Sequence, residues 1–282
     1  MLDDANRQRA RPPSDHRLST EDHHAALEAQ AIRAAVIYES VRKEGETELM
    51  RPARALWWSG VAAGVGMSLS LFAQAVLHEH LPASDWRPLV AAFGYTVGFL
   101  AVILGRMQLF TENTLTAVLP VLTRPSWDCL KNLLRLWTVV LVANLSGALL
   151  SAWLTSWLGF LPETTLEASK ELARAYADKS VGEMFFRGIP AGFLVAVVVW
   201  CLPSARNLSF FIIITFTYLI ALADLAHVIA GSTDLFLLAI SGELGWLSAI
   251  FGGIAPSLAG NILGGSGLVA LIVHAQVRPE IA

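Results

Sequence analysis

The sequence predicts an all-α membrane protein with six transmembrane spans, two of them broken. Three observations carry that reading. First, 55% of the 282 residues are hydrophobic and only 15% charged, with mean hydropathy +0.55, too apolar for an ordinary water-soluble domain. Second, two apolar stretches are interrupted by polar groups, at Leu109-Phe110-Thr111-Glu112-Asn113 and around Asp224-Leu225-Ala226-His227. Polar groups at membrane depth are tolerated only where protein encloses them or a path runs past them. Third, Asn144-x-x-Gly147 recurs as Asn261-x-x-Gly264, each after one of the interrupted stretches, which reads as a three-segment internal repeat with a site near the midplane.

Residues 1–18, rich in Arg, Asp, Pro and Gln, hold too little apolar surface to offset chain entropy and are expected to be disordered. Residues 19–54 follow as a cytoplasmic amphipathic helix and linker. Its start is signalled by Ser19-Thr20-Glu21-Asp22, and Leu27, Ala31, Ala34, Tyr38 and Val41 share one side. The channel domain is expected over 55–275 and a short cytoplasmic tail over 276–282.

The first span is expected from Leu56 to Leu77, with Gly60, Gly64 and Ser68 at helix-contact spacing. The second runs from Leu89 to Gly105, breaks over Arg106 to Thr111, and resumes to Leu122. The third covers Leu133 to Phe160. A polar surface helix over Glu163 to Glu183 precedes the fourth, Met184 to Leu202, which Pro190 and Gly192 loosen. The fifth starts near Leu208, breaks near His227 to Thr233, and resumes from Asp234 to Ile240. The sixth covers Ile254 to Val273.

The net charge of −3 is small, so neither nucleic acid nor a polybasic membrane anchor is implied. Nine of the twenty Lys and Arg fall in the first 54 residues beside ten acidic residues. Further on, Arg124, Lys131, Arg206 and Arg278 mark loops on the same side, so the positive-inside rule puts both termini in the cytoplasm. The N-terminus lacks a signal peptide. Cys129 and Cys201 lie in or beside apolar segments and read as packing thiols. His78-Glu79-His80 has metal-like composition but the spacing of a wet loop. No nucleotide loop, cofactor motif or nucleophile constellation is present, which argues against an enzyme, a cofactor and a metal.

The stretch Leu89 to Thr111, the tripeptide Leu109-Phe110-Thr111, the turn Trp200 to Arg206 and His227-x-Ile229-Ala230 together resemble the formate/nitrite transporter family over about Leu56 to Val273. The resemblance implies an aquaporin-like inverted repeat and homopentamers in which each protomer has its own pore for small monovalent anions such as formate, nitrite or hydrosulfide. It also implies a multi-pass protein in lipid, a bacterial inner membrane being the natural setting. The N-terminal arm and the Phe-Thr-Glu-Asn-Thr and Asp-x-x-His variants mark a distinct subgroup.

Within that resemblance, His227 matches the pore histidine and Thr111 the loop threonine. An imidazole with an ordinary pKa of roughly 6.5 can hold or donate a proton near neutrality. Moving a bare carboxylate into low dielectric costs on the order of 20 kcal/mol in the Born limit. Protonating an acid of pKa near 4 at pH 7 costs only about 4 kcal/mol. Neutralising the anion with a proton is therefore the less costly route. The bland alternative for Thr111 is an N-cap for a helix starting at Glu112.

Ungapped matching puts Tyr95 and Ile220 at the outer constriction and Phe99, Leu109 and Phe110 at the inner one. Tyr95 stands where phenylalanine is common, Gly192 where a pore asparagine is usual, and Tyr176 where an outer lysine is usual, with Lys179 or Arg187 nearby. Asp224, three residues before His227, would share a helical face with it and raise its pKa; alternatively it caps the broken helix. Asn144 and Asn261 are expected to satisfy backbone groups freed by the breaks. Two further functions stay open: a channel for neutral or cationic solutes (water, ammonia, hydrogen sulfide), and a membrane scaffold or sensor acting through the arm.

Overall fold

A computed structural model describes residues 31–159 and 161–281. The chain divides into a unit at Met1–Arg33 and a second at Ala34–Ala282. The expected disordered tail and the first part of the amphipathic helix lie outside the described residues.

The described residues of Ala34–Ala282 form helices joined by turns. In chain order they are α1 (Ala34–Met50), α2 (Ala53–His80), α3 (Arg87–Leu104), α4 (Phe110–Thr116), α5 (Val118–Thr123), α6 (Trp127–Trp157), α7 (Glu163–Ala177), α8 (Val181–Cys201), α9 (Ser209–Leu222) and α10 (Val228–Ile240). The last helical run alternates π-helix (Ser248–Ile254), α11 (Ala255–Ile262), π-helix (Leu263–Ala270) and α12 (Leu271–Ile281). Five runs are long and apolar enough to cross a membrane: Ala53–His80, Arg87–Leu104, Trp127–Trp157, Val181–Ser204 and Ser248–Glu280. Where the sequence predicts a fifth of six spans, the structure has two shorter apolar helices, Arg206–Leu222 and Val228–Ile240. Phe93, Leu134, Val142, Trp153, Phe186 and Phe211 are exposed on the outside, as a hydrocarbon surrounding permits.

Helix boundaries differ from the sequence reading in several places, among them α6, which starts at Trp127 rather than Leu133, and the last run, which starts at Ser248 rather than Ile254. Helix α1 continues past Val41 to Met50, and His78-Glu79-His80 form the last turn of α2 rather than a loop. There Glu79 accepts from Thr165 Oγ1 at 2.5 Å and His78 Nε2 lies 3.3 Å from Glu171, tying α2 to α7. Helix α4 starts at Phe110 and α10 at Val228, each earlier than expected. Gly231 lies inside α10. A Cβ there would meet the Tyr176 ring at 2.1 Å, so this glycine makes room for α7.

Helix α2 packs on α3 and α6, while α8 packs on α9 and the last run. The short helices cross over: α4 lies against α8 and the second π segment, α10 against α2 and α6. Glycines set the close contacts. A Cβ on Gly64 would sit 2.1 Å from the Asn144 carbonyl oxygen, and one on Gly192 would sit 2.2 Å from that of Asn261. Gly192 is thus a helix-contact residue, the counterpart of Gly64.

Gly64→Ala therefore forces backbone apart. It is expected to cost about 1–3 kcal/mol or prevent folding, whereas Gly182→Ala, which meets nothing within 4 Å, should leave the protein monodisperse with an unchanged or higher melting temperature. Thermal unfolding of both variants in detergent checks this.

Candidate functional site

The site is built on two links between helices, and both links have the same backbone geometry. Helix α3 ends with Arg106 at φ 55° and α9 ends with Asp224 at φ 51°. At the first, Arg106 N–H donates to Ile103 O at 3.2 Å and Met107 N–H to Val102 O at 3.0 Å. At the second, Asp224 N–H donates to Ala221 O at 3.0 Å and Leu225 N–H to Ile220 O at 2.9 Å. Each is a Schellman ending, with its left-handed residue where glycine is most at ease. A side chain in this conformation costs roughly 1–2 kcal/mol. Both links nonetheless carry charged residues there.

Four residues after each left-handed residue a short helix begins, and an asparagine from another helix closes the gap. Phe110 N–H donates to Asn144 Oδ1 at 2.9 Å, and Asn144 Nδ2 donates to Gly60 O and Gln108 O, both at 2.8 Å. Val228 N–H donates to Asn261 Oδ1 at 2.9 Å, and Asn261 Nδ2 donates to Gly188 O and Ala226 O, both at 2.8 Å. Both amides are fully buried at 0% exposure. Each ties a long helix, a link and a short helix together through one side chain.

His227 is the last residue of its link and the N-cap of α10: Ala230 N–H donates to its Nδ1 at 3.2 Å. Its Nε2 lies 2.8 Å from Thr111 Oγ1. Because Nδ1 receives a backbone N–H, the ring proton of neutral imidazole sits on Nε2 and is directed at the Thr111 oxygen. The Thr111 hydroxyl hydrogen is left for another acceptor. Thr111 lies inside the first turn of α4, whose N-cap is Leu109 with no side-chain cap, so the N-cap alternative does not apply. Both residues have 0% exposure.

The five expected constriction residues take distinct places. Phe99 meets the His227 ring edge-on with centroids 4.9 Å apart, and Tyr95 stacks at a tilt on Phe99 at 5.4 Å. Phe110 turns against Trp137 of α6 at 5.6 Å. Ile220 and Leu109 are buried. Leu109 also forms part of the wall of a cavity of about 450 Å³ that Ser40, Glu44, Glu48, Arg106, Glu112 and Arg206 help to line. The cavity stops short of His227, Phe99 and Ile220, which are not among its lining residues.

Asp224 does not share a helical face with His227, because 223–227 are not helical, and it does not cap α10. Its carboxylate instead bridges two cations, Lys179 Nζ at 2.7 Å from Oδ1 and Arg187 Nη1 at 2.5 Å from Oδ2. Arg187 Nη1 also donates to Asp224 O at 3.2 Å, and Lys179 Nζ sits 4.7 Å over the Tyr176 ring. On the other link, Arg106 pairs with Glu44 of α1. Sequence reasoning missed Glu112, whose carboxylate lines the cavity without an ion pair or side-chain hydrogen bond among the described residues; a charged residue opening a short helix next to Thr111 was its only signal. It also missed that α1 walls this cavity, with Tyr38 OH 2.6 Å from His274 Nδ1 and 2.9 Å from Thr123 Oγ1 holding it down. On α1 the Arg42 guanidinium bonds Glu39 at 2.7 Å and holds its carboxyl below the usual range.

The family model for formate/nitrite transporters matches residues 35–275. The chain is 40% identical over 250 residues to the inner membrane protein YfdC of Escherichia coli (strain K12), covering 89% of this chain and 81% of that protein. It is 26% identical over 243 residues to the uncharacterized transporter YrhG of Bacillus subtilis (strain 168), covering 84% and 90%. Among solved structures, an FNT family ion channel superposes with TM-score 0.72 at 19% identity, over 86% of this chain and 98% of that one. A pentameric formate channel with formate bound superposes with TM-score 0.67 at 19% identity, over 80% and 98%.

Asn144→Ala and Asn261→Ala each strip three buried bonds from a link. Both are expected to lower stability by about 3 kcal/mol or more, since each orphaned buried group costs roughly 1–3 kcal/mol. Unfolding in detergent should show similar losses for the two; tolerance of either would contradict the role given to these amides.

Proposed function

The chain belongs to the formate/nitrite transporter family, and from that premise we propose that it passes small monovalent anions of weak acids, formate and nitrite among them, by neutralising them at His227 and Thr111. The observation that carries this reading is the 2.8 Å contact between His227 Nε2 and Thr111 Oγ1 in a fully buried setting. A hydroxyl whose hydrogen is unused, backed by a ring N–H, is a donor waiting for an anion. The similar solved channel, described as pentameric and formate-bound, supports both the substrate class and a homopentamer.

In this reading α3 with α4, and α9 with α10, are the halves of two broken spans, giving six crossings arranged as an aquaporin-like inverted repeat. Both termini face the cytoplasm of a bacterial inner membrane, and the lined cavity opens inward. A proton from the aqueous side enters at His227 Nδ1 in place of the Ala230 bond. The Nε2 proton moves to Thr111 Oγ1 as the Thr111 hydroxyl proton goes to the anion. The ring is left neutral with its proton on Nδ1, and the acid returns its proton to water on the far side. Orphaning the buried Ala230 N–H costs roughly 1–3 kcal/mol, less than the several kcal/mol for desolvating a bare ion. Phe99, edge-on to the ring, and the buried Leu109 must yield for passage.

A second reading, a channel for ammonia or other neutral or cationic solutes, is favoured by one feature: Glu112, Glu44 and Glu48 all line the inner cavity. Flux into liposomes separates the two. Formate entry at pH 7 should fall about 100-fold in His227→Ala, the lower end of the effect of a lost acid-base group, and about tenfold in Thr111→Val through loss of one charge-assisted donor. Ammonium flux that survives in a protein without formate flux would favour the second reading.

A further inference from the structure

We propose that Asp224 is a tethered competitor: its carboxylate occupies an anion subsite formed by Lys179 and Arg187, and so sets how strongly a free carboxylate is held there. The proposal rests on the anion-transport reading above and assigns a role at its outer mouth.

Three features support it. The two carboxylate oxygens are divided between two cations from separate places in the chain, Oδ1 to Lys179 at 2.7 Å and Oδ2 to Arg187 at 2.5 Å. Formate and nitrite present the same pair of oxygens on one central atom, so a free anion fits the cradle only when Asp224 leaves it. Next, Lys179 is built in, Arg187 is 37% exposed and also lies 3.6 Å from Glu183, and the acid is more exposed than either cation. The Lys179 side chain is 5% exposed and lies over Tyr176, while the Asp224 side chain is 60% exposed. Finally, the backbone does not ask for a carboxylate. Asp224 sits at the left-handed end of a Schellman motif, where glycine is favoured, and the matching residue of the other link is Arg106, of opposite sign, paired with Glu44. A link can thus be anchored by either charge, and the sign at 224 is free to serve the ligand.

The contact has a second consequence. Arg187 reaches the link twice more, by Nη1 to Asp224 O at 3.2 Å and by its carbonyl, which accepts from Ala226 N–H at 3.2 Å. Exchange of Asp224 for a free anion therefore takes place on the segment that ends at His227.

The test is formate binding, read from the melting temperature of the full-length protein in nanodiscs as formate replaces a bulky sulfonate at constant ionic strength. In Asp224→Asn, half-maximal stabilisation should occur at a formate concentration about tenfold lower than in wild type, as expected when a competing charge leaves an ion-pair site. Asp224→Gly keeps the test valid if the asparagine variant folds poorly, because glycine suits φ 51°; it should show the same shift. Adding Lys179→Met should abolish the gain. Equal formate dependence in wild type and variants, no formate-dependent stabilisation in any of them, or a gain that survives Lys179→Met would each overturn the proposal. A merely structural ion pair would change the melting temperature without moving the formate midpoint. His227→Ala flux tests the transport reading separately.

Discussion

Two buried side-chain amides hold the rest of the structure in place. A chain that stops a helix in an apolar interior leaves carbonyl and N–H groups without partners, at several kcal/mol each where water is absent. Asn144 and Asn261 remove that penalty by the same three bonds each, to the link, to the short helix that follows and to a long helix alongside. Because α4 and α10 then start at fixed points, Thr111 and His227 arrive within 2.8 Å of one another from residues 116 positions apart. The glycines at 64 and 192 let the asparagine helices come close enough for these bonds to form.

Charge is arranged around this frame with opposite sign at its two ends. Arg106 and Asp224 hold the same backbone conformation, one with acidic neighbours in Glu44, Glu48 and Glu112, the other with basic neighbours in Lys179 and Arg187. The charge around the two links therefore differs, while the buried His227 imidazole bonds a hydroxyl and a backbone N–H.

Much of this was legible in the sequence because burial in a membrane is a strong constraint. The apolar runs marked the long helices, the polar interruptions marked the links, and Asn-x-x-Gly in two places marked the amide hubs. Other features left no local signal. Left-handed residues are read from glycine, and here they are Arg106 and Asp224; the break at Arg106 falls where the sequence puts it, but the helix end at Leu222, ahead of Asp224, was missed. Asp224 and His227 looked like neighbours on one helix face because i, i+3 spacing assumes a helix that stops at Leu222. Gly231 and Gly192 serve close contacts with a tyrosine and a helix distant in the chain. The partners of Asp224 come from 37 and 45 positions away, which no spacing rule reaches.

The central claim is that the anion crosses the centre without its charge, and voltage tests it most directly. Formate influx into liposomes holding the purified protein should be the same with and without an imposed potassium diffusion potential at matched pH, while an imposed pH gradient should drive it. Influx that follows the membrane potential and ignores the pH gradient would mean that the bare ion passes, and would contradict the account.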